Sequence, residues 1–269
     1  MISSSLTQHD ISILEKIKDP EASPSAPLLI DSSLPRDPNI TDAAIYESIT
    51  KLERSIISSI QGIELQIAGL KPTSPSSSPL SQYLSCVKDL DILIEKHPNY
   101  ASARNNRAQA LRRIYGDGIL VKNSSSSPKD EMVPLETTAS ETSLLTISTT
   151  ILTDLTTAIA LLTPPTPFTP LSPQSAKTLS QAYTQRGAIY HLTAKHLSQT
   201  PEAELCIDSG RREAGWSSVE FEESASRDFT MGGRYGNEVA KALAVASNPT
   251  AKLCGAMVKE AMRKEYGLA

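Results

Sequence analysis

Aliphatic residues recur at intervals of three and four along several stretches of this chain, and proline- and serine-rich blocks cut the stretches apart. Within residues 42–69 the series is Ile45, Ile49, Leu52, Ile56, Ile60 and Ile63. It resumes as Leu84, Val87, Leu90, Leu93 and Ile94 in residues 80–96, and as Leu144, Ile147, Ile151, Leu155, Ile159 and Leu162 in residues 140–162. That spacing lines one face of an α-helix, and it cannot serve a strand, whose side chains alternate. The block KPTSPSSSP stops the first helix. His97-Pro98 stops the second, because a residue before proline is pushed out of the α region. TPPTPFTPLSP, residues 163–173, cannot be helical, since its prolines lack the donors a helix needs. Further helices are expected at about 99–113, 174–197 and 216–234, and over 236–265 with a break at Asn248-Pro249. Residues 117–139 and 198–215 are polar enough to read as loops.

The composition agrees with an all-α protein. Of 269 residues 39% are hydrophobic and only 4% aromatic, so the core has to be built from Leu, Ile and Ala packed between helices. A net charge of −4, from 26 basic and 30 acidic side chains, offers no field for collecting phosphates, so neither nucleic acid nor a membrane is expected as a partner. The start, MISSSLTQHDISILEKIKD, lacks the basic and apolar regions of a leader, and the expected location is the cytoplasm, with the nucleus also open to it. Three widely spaced cysteines without a Cys-x-x-Cys fit a reducing compartment and read as packed or surface thiols.

The helices repeat. DLDILIEKHP from Asp89, DLTTAIALLTP from Asp154 and DFTMGGRYG from Asp228 match one another, and NNRAQAL and TQRGAIY match upstream, each with an arginine (Arg107, Arg186) before a small residue (Ala108, Gly187). Alternating first and second helices of a repeated hairpin give this pattern. It resembles tetratricopeptide repeats, with Leu111 and Tyr190 at the bulky position of the first helix and Pro98 and Pro164 at the closing proline. More narrowly, ASARNNRAQALRR, QRGAI, SRDFTMGGRYGN and NPTAKLCGAMVKEAM are similar to the tetratricopeptide repeat protein 36 family, over about half of the chain. The resemblance implies a right-handed superhelix of three helix hairpins, at about 41–98, 99–164 and 174–235, and the chain departs from the family by inserts at 70–79, 117–139, 163–175 and 198–215. A C-terminal capping segment, 236–269, follows, and a mostly extended or disordered segment, 1–40, precedes. It also implies a protein without catalysis, chaperone-associated binding, and protection of an enzyme of tyrosine catabolism.

Two sets of side chains stand out. Arg107 and Arg186 are expected to pair with Asp154 and Asp228, the acids of their own hairpins, because an arginine near a helix interface needs acceptors for its donors. In the repeat fold the first helices line a concave groove. Asn105, Asn106, Gln109 and Arg113 from the second repeat, and Gln181 and Gln185 from the third, are then expected to line it and to read a peptide or protein partner. Repeat proteins of this type that grip the C-terminal carboxylate of a chaperone use cations where Gln181 and Gln185 stand, so an Hsp70-type carboxylate clamp is the weaker expectation and a client enzyme remains open beside it. No metal site, cofactor or catalytic cluster is expected: His191 and His196, five apart, lie roughly 140° apart around a helix, and GGRYG reads as a helix terminus rather than a phosphate loop. Ser-Pro and Thr-Pro dipeptides, among them those at Ser23, Ser74, Ser78, Ser127, Thr163, Thr166, Thr169 and Ser172, read as loop-forming sequence before they read as phosphorylation sites.

Overall fold

The computed structural model describes residues 28–72, 77–122, 133–166 and 168–266. Among them are eight α-helices and no strand: α1 Ala43–Ile67, α2 Pro79–Lys96, α3 Ala101–Tyr115, α4 Glu141–Leu162, α5 Pro173–Gln199, α6 Ser218–Arg234, α7 Glu238–Ala246 and α8 Pro249–Tyr266. The protein is all-α. Each helix from α1 to α7 packs on the next in sequence, and α3 also packs on α5.

The helix starts follow from short polar side chains. Asp42 accepts from the amides of Ala44 and Ile45 at 2.9 and 3.0 Å. Ser78 and Ser172 accept from the amides of Ser81 and Ser175, each with proline at the first helical position. Proline suits that position because its missing N–H would be unpaired there in any case. Two of the Ser-Pro dipeptides are therefore helix starts. Ser172 is also buried, its hydroxyl donating to the carbonyl of Arg36 at 3.0 Å, which removes it as a kinase target. Ser23, Ser74 and Ser127 lie outside the described residues.

The aliphatic stripes are buried or half-buried with three exceptions. Ile45 and Leu52 on α1 are 49% and 54% exposed, and Leu84 on α2 is 43% exposed. On α1 the inward side is instead Tyr46, Ile49, Glu53 and Ile63, with Ile56 and Ile60 half-buried. No earlier helix covers α1 within the described residues, so one edge of its stripe stays in water. The longest apolar helix, α4, packs within the bundle and carries a fully buried charge, Asp154.

The two inserts read as loops nevertheless reach the core. Ile119, Leu120 and Val121 are buried, and so are Cys206 and Ile207. Val121 and Leu205 form an antiparallel bridge, the Cys206 amide donates to the Leu120 carbonyl at 2.8 Å, and the Ser148 hydroxyl on α4 donates to the Cys206 carbonyl at 2.6 Å. Each insert hides a short apolar triplet among polar neighbours, and the two triplets satisfy each other's backbone. The segment before α1 is likewise docked where it is described. Ile30 bridges Leu171, and the Ser172 and Ser175 hydroxyls both hold the Arg36 carbonyl, so residues 28–42 run from the start of α5 to the start of α1. Residues 1–27 lie outside the described residues.

Candidate partner-binding groove

Arg107 and Arg186 occupy equivalent places on α3 and α5, each facing an aspartate on the following helix. Arg107 grips Asp154 with two parallel bonds of 2.6 and 2.7 Å, and Arg186 grips Asp228 at 2.7 and 2.8 Å. The fork of a guanidinium matches a carboxylate in this way, which fixes the angle as well as the distance between the helices. Asp154 takes a further bond from Arg104 at 3.1 Å, and Arg107 reaches back to Asp91 on α2 at 2.7 Å. Burial alone would lower the pKa of Arg186, but the bonds and charge of Asp228 carry it above its usual value, so it is held as a cation. Burial pushes the Asp228 carboxyl up from its ordinary range, while the bonds and charge of Arg186 pull it down. Both pairs join helix to helix, and Arg104 and Arg107 also line a concavity of about 580 Å³ with Val87, Asp91, Ile94 and Ile147.

An open concavity lies between α1 and α3. It holds about 780 Å³ and has an apolar floor of Ile57, Ile60, Leu65, Ala68, Tyr83 and Ala110. Its polar rim is Gln61, Glu64, Asn106, Gln109 and Arg113. The rim is partly committed. The Asn106 amide donates to Glu53 at 2.8 Å, and Arg113 bonds Glu64 at 2.8 Å and the carbonyl of Val133 at 2.9 Å. Gln61 and Gln109 are exposed at the rim.

Three residues expected in the groove sit elsewhere. Asn105 is 1% exposed, and its side-chain oxygen accepts from Gln185 at 2.8 Å. Gln185 in turn accepts from Arg112 at 3.0 Å, and Gln181 lies 3.5 Å from the Asn105 amide, the outer limit of a hydrogen bond. These amides tie α3 to α5, which closes the space between the second and third pairs. The side chains that shape the groove from α1, Glu53 and Glu64, had a signal in the sequence: they are eleven residues apart, three turns, on the flank of the aliphatic stripe. Glu53 is 7% exposed and accepts from the Tyr100 hydroxyl at 2.5 Å as well as from Asn106.

No protein-family model matches the chain, and no solved structure does. The chain is 36% identical over 263 residues to the L-tyrosine degradation gene cluster protein hmgX of Aspergillus fumigatus, in a match that covers 97% of this chain and 93% of the relative. The chain belongs to the hmgX family. The match takes in the inserts as well as the helices.

The second apolar surface of this hmgX-family chain is on α8. Leu253, Met257, Val258 and Met262 are all more than half exposed there, and α8 packs on α6 and α7. It carries the Lys264–Glu260 ion pair and is distinct from the α1–α3 groove.

Proposed function

We propose that this protein is a non-enzymatic partner that stabilises an enzyme of L-tyrosine degradation, holding it in the groove between α1 and α3. The observation that carries the tyrosine link is the 36% identity, along nearly the whole of both chains, to a protein named for an L-tyrosine degradation gene cluster. The groove supports binding rather than chemistry. Its floor is aliphatic, its one cation is neutralised by Glu64, and its free rim groups are amides, which donate and accept but do not activate a nucleophile.

In this reading the helices form a tetratricopeptide-type right-handed superhelix, with α1–α2, α3–α4 and α5–α6 as its three hairpins and α7 and α8 as the cap. The recurring Arg–Asp clamp in the second and third hairpins supports it, as do the fully buried Ala108 and the close approach at Gly187, at the small position of each first helix. The similarity to the tetratricopeptide repeat protein 36 family belongs to the same proposal, as does action in the cytoplasm or nucleus. An Hsp70-type chaperone is less well supported as the partner, because a carboxylate clamp needs free cations and Arg113 and Arg112 are both spent on internal acids.

Immobilised protein offered each purified enzyme of tyrosine degradation from the same organism should retain one of them. Leu65→Asp and Gln109→Glu, both at exposed positions, should lose it while keeping wild-type helicity by circular dichroism. Equal retention by both variants would exclude the groove as the binding site.

A further inference from the structure

Helix α8 carries an apolar face that the described residues leave in water. At about 100° per residue, Cys254 and Ala261 lie along the middle of one side, with Leu253 and Met257 on one flank and Val258 and Met262 on the other. All six are exposed, although α8 packs on α6 and α7. Lys259 and Arg263 fall on the opposite side, and Lys264, at the edge of the face, is paired with Glu260 at 3.5 Å.

The face is symmetric about the midpoint between Met257 and Val258. Leu253 lies as far before that point as Met262 lies beyond it, and Cys254 as far before it as Ala261 beyond. A two-fold contact joins the same patch of two copies, so it needs a patch that complements itself. When two copies of α8 run antiparallel about that midpoint, the small Cys254 of each is level with the small Ala261 of the other, which lets the helix axes approach closely. Leu253 is level with the other copy's Met262 on the opposite flank, and Met257 and Val258 each lie beside their own counterparts. Glu265 separates this arrangement from a parallel one. It falls within about 30° of the middle of the face, so a parallel pair would set it against its own copy. The antiparallel pair sets it beside Thr250, in the first turn of the other helix, where the helix dipole favours a carboxylate. Lys259 and Arg263 stay away from the seam.

We propose that two copies of this chain associate through α8, packed antiparallel about a two-fold axis that passes between Met257 and Val258. The surface is separate from the α1–α3 groove, so each copy keeps its own groove and the proposal stands whether or not that groove holds an enzyme. One helix per copy buries less than the roughly 1,200–2,000 Å² of a stable interface. The dimer is therefore reversible, with a dissociation constant on the order of micromolar.

Sedimentation equilibrium of the full chain, from about 1 to 200 μM, tests the association. The average mass is expected to climb from that of one chain toward that of two. Met257→Glu sets a charge beside its own copy at the axis, and it is expected to hold the chain monomeric over the same range while keeping wild-type helicity by circular dichroism. Mild oxidation reads the register. Val258→Cys in a Cys254→Ser background is expected to give a disulfide-linked dimer, because the two copies of position 258 are about 1.5 Å apart along the seam. The wild-type chain is expected not to crosslink, since the two copies of Cys254 are seven residues, about 10 Å, apart along it, and Cys86 and Cys206 are buried. A monomer at every concentration, a dimer that survives Met257→Glu, or crosslinking through Cys254 rather than at the Val258→Cys site would overturn the proposal.

Discussion

At the scale of single residues, the molecule spends its charges on holding helices together. Asp154 is fully buried and takes bonds from two arginines, so Asp154→Ala should leave Arg104 and Arg107 half-buried without an acceptor there. Removing one partner of such a group costs about 3–5 kcal/mol, because the remaining charge stays desolvated. Urea unfolding should show the midpoint falling accordingly. Replacing both partners of the other clamp, Arg186→Met with Asp228→Leu, should cost less than either change alone. Asp37 behaves in the opposite sense. It is 4% exposed, and burial together with the charge of Glu53 raises its carboxyl above the ordinary 3.8 despite its bonds to Asn39. The folded state therefore binds this proton more tightly than the unfolded chain, and stability falls as pH rises above 3.8 through the raised value. Asp37→Asn keeps the acceptor for the Asn39 amide and removes the charge. Its melting temperature should exceed wild type at about pH 7, with the gain vanishing as pH drops below 3.8. The Arg–Asp clamps were legible in the sequence because a repeated arginine before a small residue, matched by a repeated aspartate, has few other uses. The role of Asn105 was not, because adjacent asparagines point about 100° apart on a helix and the sequence does not say which one meets a neighbouring helix.

At the scale of elements, close approach decides which helices can pair. A Cβ at Gly187 would lie 3.0 Å from one Phe229 ring carbon and 3.3 Å from the Ala225 carbonyl, so α5 and α6 touch where neither can retreat. Gly187→Ala should destabilise by about 1–3 kcal/mol, as overpacking does, and a urea titration would register it. Phe229, 1% exposed, would be forced off its position. Helix existence and boundaries were read closely from the spacing of aliphatics and from the proline-rich blocks between them, while the role of Ser78 and Ser172 as helix starts was not. The identity of the buried edge was read less well. Ile45, Leu52 and Leu84 have the right period yet remain exposed, because periodicity finds a stripe and only the neighbours decide how much of its width is covered.

At the scale of the whole molecule, the sequence separated helices from inserts correctly but undervalued the inserts. ILV at 119–121 and LCI at 205–207 lie more than eighty residues apart, and no local pattern announces that they will pair beside α4. Of the six side chains expected to line a groove, Asn106, Gln109 and Arg113 do so between α1 and α3, whereas Asn105 and Gln185 bond to each other between α3 and α5. Functionally, the clamps and amide bridges tie α3 through α6 into one packed body and leave the open surface at the α1 end. A protein bound there stabilises its partner by mass action, about 2.7 kcal/mol when present at a hundred times the dissociation constant. The stabilising role is tested most directly by the inactivation half-life of each purified tyrosine-degrading enzyme at elevated temperature, with and without a molar excess of this protein. One enzyme's half-life should lengthen several-fold, and Leu65→Asp should abolish the effect. Unchanged half-lives for every enzyme of the pathway would contradict that role.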